Sequence, residues 1–120
     1  MIGTWHATVL DCKNPSTLAS FYQELLGMIR VQDEEDGSWV SIGDAPDRPA
    51  LAFQRSEDYL PTTWPEPEVP QQGHLDVRVA DLDIAETEVL AIGATLTGRG
   101  TASYRVYLDP EGHPFCLVAW

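Results

Sequence analysis

Apolar residues recur along this chain first at a strand-like and then at a helical period, and the alternation happens twice. Val9-Leu10-Asp11-Cys12 opens as a short strand. Leu18, Phe21, Tyr22, Leu25 and Leu26 then fall at the spacing of an amphipathic helix. Asn14 followed by Pro15 supplies an N-cap and a first-turn residue, and Gly27 a stop. Three short strands are predicted next, over 28–31, 38–42 and 50–55. Asp36-Gly37 turns the first into the second, and a loop over 43–47 precedes the third.

Residues 56–72 interrupt the pattern. Pro61, Pro65, Pro67 and Pro70 cannot sustain a helix or a central strand, so the stretch reads as an extended connector. Trp64 within it either pins the connector to the body or roofs a pocket. Beyond it the plan repeats. A strand over 73–79 leads to a helix over 81–92, with Leu82, Ala85, Val89 and Ile92 on one face and Gly93 as its stop. Strands follow over 94–97, 102–108 and 115–119, the last two joined by the turn Asp109-Pro110-Glu111-Gly112.

The order βαβββ, read twice, predicts an α+β chain of two tandem modules, 1–55 and 73–120, within a single domain over 1–120. Superposed, Leu10-Asp11-Cys12 matches Leu75-Asp76-Val77, and Phe53-Gln54 matches Phe115-Cys116. Short matches in a common element order argue for a duplicated module.

Composition narrows the function more by exclusion than by assignment. Nineteen acidic against seven basic residues give a net charge of −12 over 120 residues, a field that repels nucleic acid and anionic membranes and favours cationic ligands. No apolar run approaches the ~20 residues of a membrane span. The first residues lack the basic and apolar regions of a signal peptide, so a cytoplasmic location is expected. Cys12 and Cys116 fall inside predicted strands without metal-ligand or secreted-domain spacing, and are expected as buried thiols. No glycine-rich segment has phosphate-loop spacing.

Three segments carry a resemblance: Phe21-Tyr22-Gln23-Glu24-Leu25-Leu26-Gly27, Gly73-His74-Leu75-Asp76-Val77 and Asp109-Pro110-Glu111-Gly112-His113-Pro114-Phe115. On these the chain resembles the vicinal oxygen chelate superfamily, and most nearly its small glyoxalase-like domain proteins. The resemblance implies that the two βαβββ modules form an incomplete barrel holding a ligand inside its curve. It also implies a homodimer.

Metal enzymes of that family take one ligand from the first and one from the last strand of each half. The matching positions here are Ala7, Gln54, His74 and Cys116. His6, one residue away from Ala7, points to the other face by strand alternation. One imidazole, a neutral amide and a thiol make a poor set for a divalent metal, so no cofactor is expected, and His74 is the residue a metal would use.

With His74 facing the cavity, period two brings Asp76 and Arg78 to the same face, and Val9 and Asp11 on the matching strand. His74 is then a general acid or base, a hydrogen-bonding partner for a ligand, or a histidine satisfied by backbone. Asp11 and Asp76 either meet the ligand or brace strand–helix turns. Gln54, Cys116 and Trp39 complete the expected ligand-binding set. Trp120 is expected in packing or at a dimer contact.

The resulting expectation is a small-molecule-binding protein, a lyase or isomerase if it is an enzyme, with His74 as acid–base. The alternative is sequestration of a cationic drug or metabolite without turnover, as in bleomycin-resistance proteins.

Overall fold

The structure is a computed structural model and describes residues 1–119. The chain divides into two compact units, Met1–Tyr59 and Leu60–Trp120. The expectation for Trp120 lies outside the described residues.

The first unit runs β1 (Thr8–Cys12), α1 (Pro15–Leu26), β2 (Ile29–Asp33), β3 (Trp39–Ala45) and β4 (Arg48–Arg55). Its sheet has the order β1-β4-β3-β2, with β1 parallel to β4 and the other pairs antiparallel. Asn14 caps α1 by accepting the Thr17 N–H, and Gly27 ends it with φ 69°, a left-handed conformation that glycine takes without strain. One face of α1 buries Leu18 and Tyr22, and the Tyr22 ring stacks on Phe53 of β4 with centroids 5.5 Å apart. Full burial of these groups supplies the hydrophobic term that holds the helix to the sheet.

The second unit repeats the order. After an extended segment come β5 (Leu75–Arg78), α2 (Leu82–Ala91), β6 (Thr95–Gly100), β7 (Tyr104–Leu108) and β8 (Pro114–Val118). Its sheet runs β5-β8-β7-β6, again with the first strand parallel to the last. Asp81 caps α2 by accepting the N–H groups of Asp83 and Ile84. From α2, Glu86 accepts a 2.7 Å hydrogen bond from the Tyr107 hydroxyl and a 3.1 Å bond from Arg105. The Tyr107 bond, first of all, holds the Glu86 carboxyl below its usual range, and burial pushes the Tyr107 phenol up to about 12. Tyr107 stacks on Phe115 with centroids 5.6 Å apart.

Register bears out the internal repeat. Leu10 pairs with Phe53 as Leu75 does with Phe115, and Asp11 pairs with Gln54 as Asp76 does with Cys116. Each unit therefore covers one sheet face with its helix and leaves the Asp11 or Asp76 face uncovered by it.

The structure shifts several predicted boundaries. Residues 43–45, predicted as loop, belong to β3, and only Pro46 and Asp47 separate it from β4. The reason is Gly43, which closes a bulge: a Cβ there would stand 1.9 Å from the Arg48 carbonyl oxygen. Gly43→Ala is accordingly expected to destabilise the first unit by about 1–3 kcal/mol, read as a lower denaturant midpoint in chemical unfolding. β7 starts at Tyr104 rather than at Ala102, because Thr101 and Ser103 make a local turn through the Ser103 N–H to Thr101 Oγ1 bond. The unit boundary falls after Tyr59, so the first residues of the predicted connector stay with the first unit.

Candidate functional site

β7 and β8 of the second unit lay the floor of a cavity. Arg105, Tyr107, Phe115 and Leu117 take one face of these strands, and the first three engage α2 or one another. Alternation sends Tyr104, Val106, Cys116 and Val118 to the opposite face. Val106, Cys116 and Val118 form a buried apolar cluster there, with Val106 directly opposite Cys116 in register. Trp64 and Tyr104 pack against this cluster and stand as walls. The cavity so bounded is about 250 Å³, just under the ~300–1,000 Å³ of ordinary small-molecule pockets, room for a compact ligand.

Trp64 reaches the floor from the proline-rich segment because that segment is tied to itself. Thr63 N–H donates to the Val69 carbonyl at 2.9 Å, Val69 N–H returns a bond to Thr63 Oγ1 at 2.8 Å, and Trp64 N–H donates to Thr62 Oγ1 at 3.0 Å. Pro61 closes over Gly112, where a Cβ would lie 2.7 Å from the proline Cβ and where φ is 90°. The Arg99 guanidinium lies 5.8 Å from the Trp64 ring centroid, a cation–π contact. Of the two roles expected for Trp64, pinning and pocket wall, it fills both.

The polar side of the cavity is His74 with Asp76. Asp76 lies on β5 directly opposite Cys116, and His74 stands one residue before that strand begins. His74 Nε2 is 3.2 Å from Asp76 Oδ1, with side chains 40% and 49% exposed, so both groups are accessible to a ligand. An aspartate on one ring nitrogen fixes the tautomer and leaves Nδ1 as the atom for a ligand. Cys116, by contrast, is buried, and burial, followed by the charge and hydrogen bond of Asp76, pushes its thiol up to about 11. It stays protonated at neutral pH, a small side chain rather than a ready nucleophile. Cys12 is likewise buried, and neither cysteine is in a disulfide.

Of the six residues expected at the site, three belong to each unit. His74, Asp76 and Cys116 come together in the second unit. Asp11, Gln54 and Trp39 form a row across β1, β4 and β3 of the first unit, each opposite the next in register. Asp11 and Gln54 are exposed, while the half-buried Trp39 donates its indole N–H to Gln32 at 3.2 Å. Sequence reasoning missed Gln71, Pro114, Val118, Tyr104 and Val106 as lining residues. Period two on β7, counted from the residue opposite Cys116, was the signal available for the last two. The third histidine, His113, is spoken for: its Nδ1 lies 2.8 Å from the fully buried carboxylate of Asp109 in the β7–β8 turn.

The four metal positions of the family do not assemble a matching donor set in this chain. His74 stands seven residues before the helix cap Asp81, and the residue seven before the cap Asn14 is Ala7. Aligned instead through the strand pairing, the counterpart of His74 is Val9. Both are apolar, so the first half offers Gln54 alone at these positions. In the second half the two family positions, His74 and Cys116, do meet, and with Asp76 their ligand atoms lie within 4.8 Å of one another.

The sequence pattern of the glyoxalase-like domain matches residues 7–118. The chain belongs to the glyoxalase-like domain family. Among solved structures, an enzyme of the glyoxalase/bleomycin resistance protein/dioxygenase family from Burkholderia phytofirmans superposes with a TM-score of 0.67 at 18% identity, covering 92% of this chain and 94% of that one. A protein from Agrobacterium tumefaciens gives 0.70 at 21% identity, with 98% of each chain covered. The fosfomycin resistance protein FosX from Mesorhizobium loti gives 0.70 at 12% identity, covering 100% of this chain and 93% of that one. At such identities the likeness shows the fold. No curated protein matches the chain. Among the described residues, no helix is long and apolar enough to cross a membrane.

Proposed function

We propose that this protein binds a small organic molecule on the uncovered face of its second sheet, and that His74 acts on it as a general acid–base in a lyase or isomerase reaction without a resident metal. The observation that carries this reading is the cavity's two-sided chemistry. Its floor and walls are Val106, Cys116, Val118, Trp64 and Tyr104, and its polar edge is the His74–Asp76 pair. An apolar floor with aromatic walls selects a molecule with a flat apolar part, and a paired imidazole at the edge meets its polar head. The presence of fosfomycin resistance proteins on the same fold favours a small-molecule role in general.

Trp64→Ala is the test. Calorimetric titration of single-ring aromatic amines, alcohols and acids into metal-free protein is expected to find micromolar-to-millimolar binders that Trp64→Ala weakens at least about tenfold, the loss of one stacking wall. Binding of the same compounds undiminished by the substitution would place the site elsewhere.

A second reading has its own support. Asp76 is exposed beside two aromatic rings, and the chain carries a net charge of −12. These suit sequestration of a cationic drug or metabolite without turnover. Salt-sensitive binding of a basic antibiotic such as bleomycin, lost in Asp76→Asn, would favour it. In either case we read the protein as cytoplasmic and, on family grounds, as a homodimer; sedimentation equilibrium checks the dimer.

A further inference from the structure

We infer that the molecule taken by the second-unit cavity is an aromatic α-amino acid, with its ring over the apolar floor, its ammonium on Asp76 and its carboxylate on Arg78. The inference rests on the site proposed above and names the class of ligand that site selects.

Arg78 differs from the other arginines in its partners. Arg30, Arg48 and Arg105 each pair with a carboxylate, at 2.7, 3.3 and 2.6 Å. Arg55 donates to the Asp36 carbonyl at 2.9 Å, and Arg99 lies against the Trp64 ring. Among the described residues, the Arg78 guanidinium has no hydrogen bond, ion pair or ring contact. With nineteen acidic residues in the chain, this is not for want of carboxylates.

Its position gives that guanidinium a use. Arg78 follows Asp76 by two on β5, so both exposed side chains take the face that α2 leaves uncovered. Asp76 is opposite Cys116 and Arg78 opposite Val118, and both of these β8 residues line the cavity. The strand rise sets the Asp76 and Arg78 Cα atoms about 6.6 Å apart, a negative and a positive group side by side at one rim.

Charge complementarity then selects the ligand. An amine complements Asp76 but brings a like charge toward Arg78, and an acid does the reverse. An α-amino acid carries both charges on one carbon, and the planar guanidinium fork takes a carboxylate in two parallel bonds. Asp76 keeps room for the ammonium: an ionised carboxylate accepts at about four lone-pair sites, and His74 and Cys116 use only part of them. The side chain is left to the apolar floor of Val106 and Val118, walled by Trp64 and Tyr104, a setting that favours an aromatic ring.

Calorimetric titration of metal-free protein with phenylalanine, 2-phenylethylamine and 3-phenylpropionate tests this, since the last two each lack one charged group. Phenylalanine, in one or both enantiomers, is expected to bind at least about tenfold more tightly than either. Arg78→Gln should bring phenylalanine down to the level of 2-phenylethylamine and leave the amine's affinity unchanged. Asp76→Asn should bring it down to the level of 3-phenylpropionate. No binding of phenylalanine, equal or tighter binding of a single-charge compound, or a phenylalanine affinity that survives Arg78→Gln overturns the inference. The underlying site is judged separately by Trp64→Ala. If that substitution weakens all three compounds while Arg78→Gln weakens none, the site stands and the amino-acid assignment falls; if it weakens none, the site itself falls.

Discussion

Phe115→Ala is expected to destabilise the protein by about 3–5 kcal/mol, a large share of the ~5–15 kcal/mol that holds a small domain folded. Phe115 is fully buried in β8, opposite Leu75 in the parallel pair and Tyr107 in the antiparallel one. Its ring stacks on Tyr107, whose hydroxyl in turn donates to Glu86 on α2. Removing the ring opens a cavity at the junction of three strands and leaves the Tyr107–Glu86 bond without its packing support. The loss also reaches the site, since the next residue, Cys116, forms the floor on the other face. Urea unfolding checks the prediction: a midpoint within error of the parent would contradict the core described here.

His74→Ala is expected to lower turnover of the lyase or isomerase reaction by about 10²–10⁴-fold, the usual contribution of a positioned acid–base group. Stability should hardly change, because the side chain is 40% exposed and its nearest polar partner is Asp76. The distinction from a mere binding role comes from His74→Gln. Glutamine keeps hydrogen-bonding capacity but neither gains nor loses a proton near neutral pH, so its turnover should fall nearly as far as that of the alanine variant. Full activity in His74→Gln would assign His74 to binding only.

The fold was legible because both modules write the same period twice. The caps Asn14 and Asp81, the stop Gly27 and the register-matched pairs Leu10–Phe53 and Leu75–Phe115 all stand in the sequence as local signals. The β3–β4 hairpin was less legible: Gly43-Asp44-Ala45-Pro46-Asp47 has loop composition, yet close backbone approach at Gly43 carries the strand through to Ala45. The site was legible in part. Alternation placed His74 and Asp76 on one face, and the family resemblance supplied Cys116, which the structure sets opposite Asp76. Asp11, Gln54 and Trp39 are aligned in register within the first unit, a row that the β1–β4 and β3–β4 pairings set and alternation alone does not. Trp64 shows the same limit from the other side. Its place against Val106, Cys116 and Val118 depends on the Thr62, Thr63 and Val69 hydrogen bonds, which no hydrophobic periodicity encodes.

The claim at the centre of this account is that ligands enter over the second sheet, between Trp64 and His74. The most direct measurement is a nuclear magnetic resonance titration of metal-free protein with the single-ring aromatic compounds, observing the tryptophan indole N–H and the histidine ring signals together. The account predicts saturable shifts at Trp64 and His74. Shifts centred on Trp39 and the Asp11–Gln54 row, with Trp64 and His74 silent, would contradict it.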